Sequence, residues 1–326
     1  SLEVTKEKMS IVHGSTVATN TLLERKGAKV ALITTSGYED VIEIGRQSRS
    51  SLYDLFITRE LPLVPDVLRW GVQERVASTG EVLSGVRKSD LKKICIELKK
   101  QGIESVAVCF LFSYINPANE DVVVSELEKL GIHVSASSRI LPEYREYERL
   151  STTVVNAYVS PVMSKYLTSM EDGLETKNIR IMQSNGGSIS TGAAKDMAVN
   201  CILSGPAGGV AGASVIAKLA GIKKIISFDM GGTSTDVSLC NGDVRLTTQT
   251  IINEIPIKVP VVDMVTVGAG GGSIAYVDPG GALRVGPQSA GADPGPVCYG
   301  KGNEITVTDA NLFLGRISAE SFLGGR

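Results

Sequence analysis

Aromatic residues and net charge are both scarce in this chain. Aromatic side chains make up 5% of the 326 residues, and the formal net charge is −2. A surface that stacks nucleic-acid bases needs aromatic side chains, and a general binder of nucleic acid or membrane surfaces needs an excess of basic residues. We therefore expect neither a nucleic acid nor a membrane among the partners of this protein.

Histidine and regularly spaced cysteine are scarce as well. Two histidines exclude a His-rich metal site, and the five cysteines include no Cys-x-x-Cys pair. An odd number of scattered cysteines favours free thiols in a reducing compartment. The sequence contains no apolar run near the roughly 18 residues of a membrane span, and no signal-peptide pattern opens it. These absences predict a cytoplasmic location.

The length and the order of apolar and polar segments predict an α/β protein with more than one domain. A chain of 326 residues is too long for one ordinary core. A strand ending at His13, a helix over 16–26 and a buried strand over 29–35 give the β–α–β order of an α/β layer. A second strand–helix–strand unit predicts a separate subdomain over 75–140. One long helix is expected over 143–172.

The most informative stretch is a predicted hairpin that ends one apolar strand at Asp229 and begins the next at Asp236. The turn between them contains Gly231, Gly232, Thr233, Ser234 and Thr235. The glycines can adopt positive φ and bring N–H groups toward an anion, and the hydroxyl groups can donate hydrogen bonds. Because the two carboxylates would repel a phosphate, we expect a Mg²⁺ ion between them and the phosphate, bound through water. A turn that merely reverses the chain is the plainer alternative, but it needs only two residues.

A second strand that ends in glycines is predicted at residues 263–276. Its glycines are Gly268, Gly270, Gly271 and Gly272. A backbone without side chains can approach a phosphate or a nucleoside closely. Such a run is not specific by itself, but together with the hairpin it points to a nucleotide.

Polar residues also gather at the turn between the first strand and the first helix. They are His13, Ser15, Thr16 and Asn20. Ligands bind at the carboxyl ends of parallel strands in open α/β sheets, so this turn is a candidate binding site. Capping of the helix by Ser15 or Thr16 is an equally good explanation.

The C-terminal quarter is predicted to be less regular. Four prolines make residues 277–300 loop-rich. A last strand is expected at 305–307, followed by a helix for which Thr308 is the expected cap.

Six motifs along the chain resemble those of the hydantoinase/oxoprolinase family. In order they are His13–Asn20, Ser204–Gly209, Asp229–Asp236, Gly268–Ser273, Gly286–Pro296 and Thr306–Asn311. The family comprises the A subunit of ATP-dependent N-methylhydantoinase, 5-oxoprolinase, and related subunits of acetone and acetophenone carboxylases. The likeness covers nearly the whole chain, more loosely over 53–140, and it does not single out one member.

The resemblance implies an actin/hexokinase/sugar-kinase-like fold, in which two ribonuclease-H-like halves bind ATP between them and an α/β subdomain is inserted. Residues 1–74 would be the remainder of the first half, 75–140 the insertion, and 141–326 the helical connection and the second half. The segment Asp229–Asp236 matches the second of two phosphate hairpins. The first hairpin and a C-terminal part would lie outside this sequence, so we expect the chain alone to be inactive.

The resemblance also implies ATP-dependent opening of a cyclic amide of the hydantoin or 5-oxoproline type. ATP and Mg²⁺ would be the cofactors, and a hydantoinase B-type subunit or domain would be the partner. On this basis phosphate is assigned to Gly231, Gly232, Thr233 and Ser234, and the nucleotide to Gly268, Gly270, Gly271 and Gly272. Asp229 and Asp236 are the expected catalytic residues and bind Mg²⁺ through water, while substrate is assigned to His13, Thr16 and Asn20.

Two other functions share these motifs. One is that of an ATP-dependent acetone or acetophenone carboxylase subunit, which keeps the fold and changes the reaction. The other is that of a non-catalytic, nucleotide-switched actin-like binding protein. Bicarbonate-dependent carboxylation would distinguish the first, and nucleotide binding without turnover of a small molecule would distinguish the second.

Overall fold

The computed structural model describes residues 10–48, 53, 56, 60–174 and 178–322. The chain divides into two compact units. The first unit contains the residues up to Gly208 together with Leu246–Val261, and the second contains Gly209–Arg245 and the residues from Val262 onward.

The regular elements alternate between helix and strand in the first half of the chain and are mainly strands in the second half. In chain order they are β1 (Ile11–His13), α1 (Val17–Leu23), β2 (Val30–Thr35), α2 (Val41–Ile44), β3 (Arg69–Val72), β4 (Arg75–Val76), β5 (Val82–Ser84), α3 (Lys88–Lys100), β6 (Ser105–Cys109), α4 (Ala118–Glu128), β7 (His133–Ala136), α5 (Ser137–Ile140), α6 (Glu146–Leu174), β8 (Ile179–Met182), β9 (Ser188–Ser190), α7 (Thr191–Asp196), α8 (Ser204–Leu219), β10 (Lys224–Met230), β11 (Thr235–Asn241), β12 (Asp243–Val244), β13 (Leu246–Thr247), β14 (Thr250–Ile252), β15 (Ile255–Ile257), β16 (Val261–Val262), β17 (Val265–Val267), β18 (Ser273–Val277), β19 (Leu283–Ser289) and α9 (Val307–Phe313).

The first unit is built around a parallel sheet in the order β3–β2–β6–β7. Strands β2 and β6 are buried along their whole length, and their apolar, β-branched sequences are typical of strands covered on both faces. Strands from both sides of residue 75 pair in this sheet, so the predicted subdomain over 75–140 shares its sheet with the residues before it. The predicted three-part division of the chain stays a prediction.

The long helix α6 covers this sheet and packs against β2, β6 and β7. Residues 148–160 are buried almost without interruption, as expected for a helix that lies inside a core rather than on its surface. The predicted long helix over 143–172 is thereby confirmed, and Pro161 lies within it. Within the described residues, no helix combines the length and the apolarity needed to cross a membrane.

A smaller sheet, β1–β8–β9, positions the polar turn near the N-terminus. Strands β1 and β8 are parallel, so His13 lies at their common carboxyl end. Helix α1 ends at Leu23, earlier than predicted, because Arg25 adopts a positive φ of 53° and breaks the helical path. Gly27, which follows this break, packs closely against the core, since a Cβ there would lie 2.3 Å from the ring of Tyr158.

The second unit contains the predicted hairpin. Strands β10 and β11 form a seven-residue antiparallel ladder, and β17 pairs with β11. Strands β18 and β19 form a further antiparallel pair, although residues 277–300 were expected to be loop-rich. Pro287 lies in β19, which pairs with β18 alone in the described structure, and proline is tolerated in such an edge strand.

The last helix begins one residue earlier than its expected cap. Thr306 forms an isolated bridge with Ile274 and then caps α9, which starts at Val307. The strand predicted at 305–307 is therefore reduced to that bridge. Thr308 lies inside the helix, so the prediction that it caps the helix is wrong.

Candidate functional site

The turn between β10 and β11 presents backbone N–H groups that have no acceptor among the described residues. The N–H of Gly231 donates to the carbonyl of Ser234 at 2.9 Å and closes the turn. Among the hydrogen bonds of the described residues, none uses the N–H groups of Gly232, Thr233 or Ser234 as donors. Three neighbouring N–H groups in a turn form the kind of concave surface by which a backbone binds an anion.

The turn glycines provide space rather than unusual backbone angles. Neither Gly231 nor Gly232 adopts a positive φ, so that part of the sequence reasoning was wrong. A Cβ added to Gly232 would meet no atom within 4 Å, and both glycines are exposed. A ligand can therefore approach the turn backbone without meeting a side chain from these two positions.

Two carboxylates lie side by side across the hairpin. Asp229 and Asp236 are register partners, and Asp236 is in turn the register partner of Thr266 on β17. Register partners project from the same face of a sheet with their Cβ atoms about 5 Å apart. The hydroxyl of Thr266 donates to Oδ1 of Asp236 at 2.6 Å and so fixes the direction of that carboxylate.

This pair of carboxylates fits a cation that binds through water. Like charges directly opposite each other destabilise a hairpin unless something compensates them. Carboxylate oxygens suit Mg²⁺, which commonly keeps several of its water ligands in proteins. The described residues contain no group of three or more His, Cys, Asp and Glu side chains that could surround a metal by themselves. Asp229 and Asp236 could thus hold Mg²⁺ together with water and a phosphate.

The glycine segment Gly268–Gly272 packs directly on the turn. A Cβ on Gly270 would lie 2.7 Å from three backbone atoms, the carbon of Gly232 and the nitrogens of Thr233 and Ser234. A Cβ on Gly272 would lie 2.9 Å from the carbonyl oxygen of Gly232. Gly270 and Gly272 are buried, whereas Gly268 is exposed and has no neighbour within 4 Å of a Cβ. The segment therefore supports the turn from one side. Contact of these glycines with a nucleotide stays a prediction, and the exposed Gly268 is the best placed of them for it.

The predicted substrate residues lie in the first unit. The His13 ring nitrogen Nε2 lies 2.7 Å from the hydroxyl of Tyr166, which orients the imidazole at the end of β1. Thr16 and Asn20 are exposed and lie one helical turn apart on α1, so they share a face. Thr16 is the N-cap of α1 but makes no side-chain capping hydrogen bond, whereas the buried Ser15 accepts a hydrogen bond from the N–H of Val17 at 3.1 Å. A substrate role for His13, Thr16 and Asn20 stays a prediction.

Sequence reasoning missed Thr266 and misread Thr308. Thr266 lies in an alternating Val-Thr-Val strand, and its relation to Asp236 depends on strand register that the sequence does not contain. Thr308 follows a genuine cap by two residues, and a Thr-x-Thr-Asp sequence allows either threonine to be the cap. The Asp three residues after Thr306 was the available signal, since a capping box requires that spacing.

The fold and this hairpin together define a mixed α/β protein that carries a turn suited to phosphate. The family model described as hydantoinase/oxoprolinase matches residues 149–326, and the model of the hydantoinase/oxoprolinase N-terminal region matches residues 2–131. The chain belongs to the hydantoinase/oxoprolinase family, and the resemblance inferred from its motifs is confirmed.

Two named relatives are similar to this chain over nearly its whole length. Caprolactamase subunit alpha from Pseudomonas jessenii is 40% identical over 96% of this chain and 47% of its own length. The crystal structure of that ATP-dependent caprolactamase matches with a TM-score of 0.82 at 38% identity, over 100% of this chain and 49% of that chain. The 5-oxoprolinase of Saccharomyces cerevisiae is 40% identical over 96% of this chain and 26% of its own length.

A nucleotide-free structure of acetone carboxylase, from work on ATP-dependent acetone carboxylation, matches with a TM-score of 0.77 at 32% identity. It covers 96% of this chain and 47% of that chain. The chain thus spans about half the length of the caprolactamase subunit and about a quarter of the yeast enzyme.

Proposed function

We propose that this protein, within its full-length chain, is an ATP-dependent hydrolase that opens a cyclic amide of the hydantoin or 5-oxoproline type. The observation that carries the proposal is the β10–β11 turn, where N–H groups that find no acceptor in the described part of the chain lie next to the facing carboxylates of Asp229 and Asp236. Membership of a family that includes an ATP-dependent caprolactamase and 5-oxoprolinases supports it.

The reaction uses ATP to activate an otherwise unreactive amide. The amide oxygen attacks the γ-phosphorus of ATP, the bond to the ADP oxygen breaks, and ADP leaves. Water adds to the activated carbon, the C–N bond breaks, and the ring nitrogen leaves after gaining a proton, as an amine from 5-oxoproline and as a carbamoyl nitrogen from a hydantoin. A second water releases phosphate from the acyl phosphate. The sum is one cyclic amide, one ATP and two waters, giving an open-chain amino acid, ADP and phosphate.

The turn has a defined part in that chemistry. The N–H groups of Gly232, Thr233 and Ser234 bind phosphate oxygens and stabilise charge on the transferring group, as do the hydroxyls of Thr233 and Ser234. Asp229 and Asp236 hold Mg²⁺ through water. When bound, this ion neutralises charge that develops on the phosphate oxygens.

The wider architecture belongs to the same proposal. We infer an actin/hexokinase/sugar-kinase-like fold in which β10–β11 is the second of two phosphate hairpins. A partner is expected because a close relative is named as a subunit alpha, and we propose a hydantoinase B-type subunit or domain. His13, Thr16 and Asn20 are proposed to contact substrate. A cytoplasmic location stays a prediction from the cysteine pattern.

The full-length protein with its partner tests the proposal. We expect phosphate release from ATP that is stimulated by 5-oxoproline, hydantoin or ε-caprolactam, with an equal amount of open-chain amino acid formed. Absence of stimulation by every cyclic amide, with the partner supplied, would contradict it. The likeness to acetone carboxylase favours one second candidate, an ATP-dependent ketone carboxylase subunit. Bicarbonate-dependent consumption of acetone or acetophenone would identify that activity.

A further inference from the structure

The motif Thr306–Asn311 has no part in the function proposed so far, although its contacts lead back to the phosphate turn. Thr306 and Asp309 form a capping box, in which the Asp309 carboxylate accepts from the N–H of Thr306 at 2.8 Å. The same carboxylate accepts from the N–H of Cys298 at 2.7 Å. The start of α9 is therefore fixed by its own capping box and by the segment that contains Cys298. Thr308 has no capping role.

Thr308 instead binds the glycine segment with two hydrogen bonds. Its backbone N–H and its hydroxyl both donate to the carbonyl oxygen of Gly271, each at 2.8 Å. Thr308 is buried, and a Cβ on Gly271 would lie 2.7 Å from its hydroxyl oxygen. The contact is thus close, and a side chain at position 271 would displace the hydroxyl of Thr308.

Gly271, which Thr308 binds, is itself hydrogen-bonded to the turn between β10 and β11. Its N–H donates to the carbonyl of Gly231 at 2.8 Å, while the N–H of Gly272 donates to the carbonyl of Gly232 at 2.7 Å. Gly272 also has a partner outside the turn, because its carbonyl accepts a hydrogen bond from the N–H of Ala290 at 2.8 Å. Two parallel chains of hydrogen bonds therefore end on two consecutive carbonyl groups of the turn.

Those two carbonyls decide where the turn's N–H groups point. A trans peptide is planar, and its C=O and N–H point in opposite directions. When the carbonyls of Gly231 and Gly232 point at the glycine segment, the N–H groups of Gly232 and Thr233 must point away from it. These are two of the three N–H groups that have no acceptor among the described residues.

We propose that Thr308 is a positioning residue, which acts through Gly271 to hold the two turn peptides in the orientation that binds phosphate. This inference rests on the proposed function, because it assigns a task to the same turn. The hydroxyl of Thr308 contacts the backbone of the glycine segment. It adds a second hydrogen bond to the Gly271 carbonyl, beside the one from the backbone N–H of Thr308, and so stabilises one orientation of that backbone.

The test compares Thr308→Val, which removes the hydroxyl at nearly constant volume, with Thr308→Ser, which keeps it. Thr308→Ala provides a second hydroxyl-free variant in case valine is not accommodated. The exposed Thr248, changed to valine, is the matched control. Two quantities are measured: the exchange rates of the Gly271 and Gly272 amide hydrogens, and the calorimetric Kd for Mg-ATP.

We expect both hydroxyl-free variants to exchange these amides about fivefold faster, the factor that corresponds to one neutral hydrogen bond. The Kd for Mg-ATP should rise by a similar factor, and Thr308→Ser and Thr248→Val should match the wild type in both measurements. Unchanged exchange in Thr308→Val and Thr308→Ala would overturn the inference. So would faster exchange with an unchanged Kd, which would leave the proposed function intact. A full-length wild-type protein that binds no Mg-ATP would count against the proposed function and remove the task assigned to Thr308.

Discussion

The substitution Gly270→Ala should push the turn between β10 and β11 away from the glycine segment that packs on it. The Cβ of Gly270→Ala would lie 2.7 Å from three backbone atoms of Gly232, Thr233 and Ser234, all of which are fixed by the hairpin. Contacts that short require a backbone shift, because no flexible side chain is available to move aside. Overpacking of this kind typically costs about 1–3 kcal/mol. The shift would move the same N–H groups that are proposed to bind phosphate.

Gly268→Ala is the matched control, since it makes the same chemical change in the same segment with no neighbour within 4 Å. We expect Gly270→Ala to lower the free energy of unfolding by about 1–3 kcal/mol in urea titrations and to weaken Mg-ATP binding by at least about tenfold. Gly268→Ala should leave the free energy of unfolding within about 0.5 kcal/mol of the wild type. Equal free energies of unfolding in the two variants would refute the assigned packing.

Three further outcomes follow from individual contacts. Thr266→Val removes the hydrogen bond to Asp236 and should weaken Mg-ATP binding about threefold to tenfold in calorimetry, while Thr266→Ser should restore it. Burial is the largest single influence on the pKa of Asp309 and raises it. The hydrogen bonds from the backbone and thiol of Cys298 and from Thr306 together outweigh burial, and they hold this pKa below its usual value. A carboxyl group whose pKa is lower in the folded than in the unfolded state stabilises the fold above its unfolded pKa, so this contribution should be lost as the pH falls below about 4. In urea titrations, the free energy of unfolding of Asp309→Asn should therefore decrease less over that pH range than that of the wild type. Arg149→Ala should cost about 2–5 kcal/mol in the same titrations, because it removes a large buried side chain whose guanidinium donates to Ser137 at 2.8 Å and to a backbone carbonyl.

The local signals of the sequence predicted most of the elements because the pattern of apolar and polar residues that favours helix or strand lies within a short stretch. The run Val30–Thr35 is apolar and β-branched and becomes a buried strand. The hairpin at Asp229–Asp236 combines two alternating runs with a glycine turn, and both strands form. In contrast, β19 was missed because its proline and glycine are typical of loops, and only its pairing with β18 makes it a strand.

The candidate site was predicted in its residue types but not in its geometry. The sequence identified Asp229 and Asp236 by their place beside the turn, and strand register then brings them opposite each other. The roles of Gly270 and Gly272 could not be read in the same way, because a glycine run suits ligand contact and backbone packing equally well. Which of the two applies depends on the atoms across the gap, and those atoms belong to residues nearly 40 positions earlier in the chain.

The most direct measurement of the central claim is calorimetric binding of Mg-ATP to the wild type, to Asp229→Ala and to Asp243→Ala. Asp243 is an exposed carboxylate of the same unit that pairs with Lys218 at 2.8 Å, so its removal controls for a general change of charge. If the turn between β10 and β11 binds the phosphates through Mg²⁺, Asp229→Ala should weaken binding by at least about tenfold and Asp243→Ala should leave it unchanged. Equal binding by the wild type and Asp229→Ala would contradict the assignment of this turn.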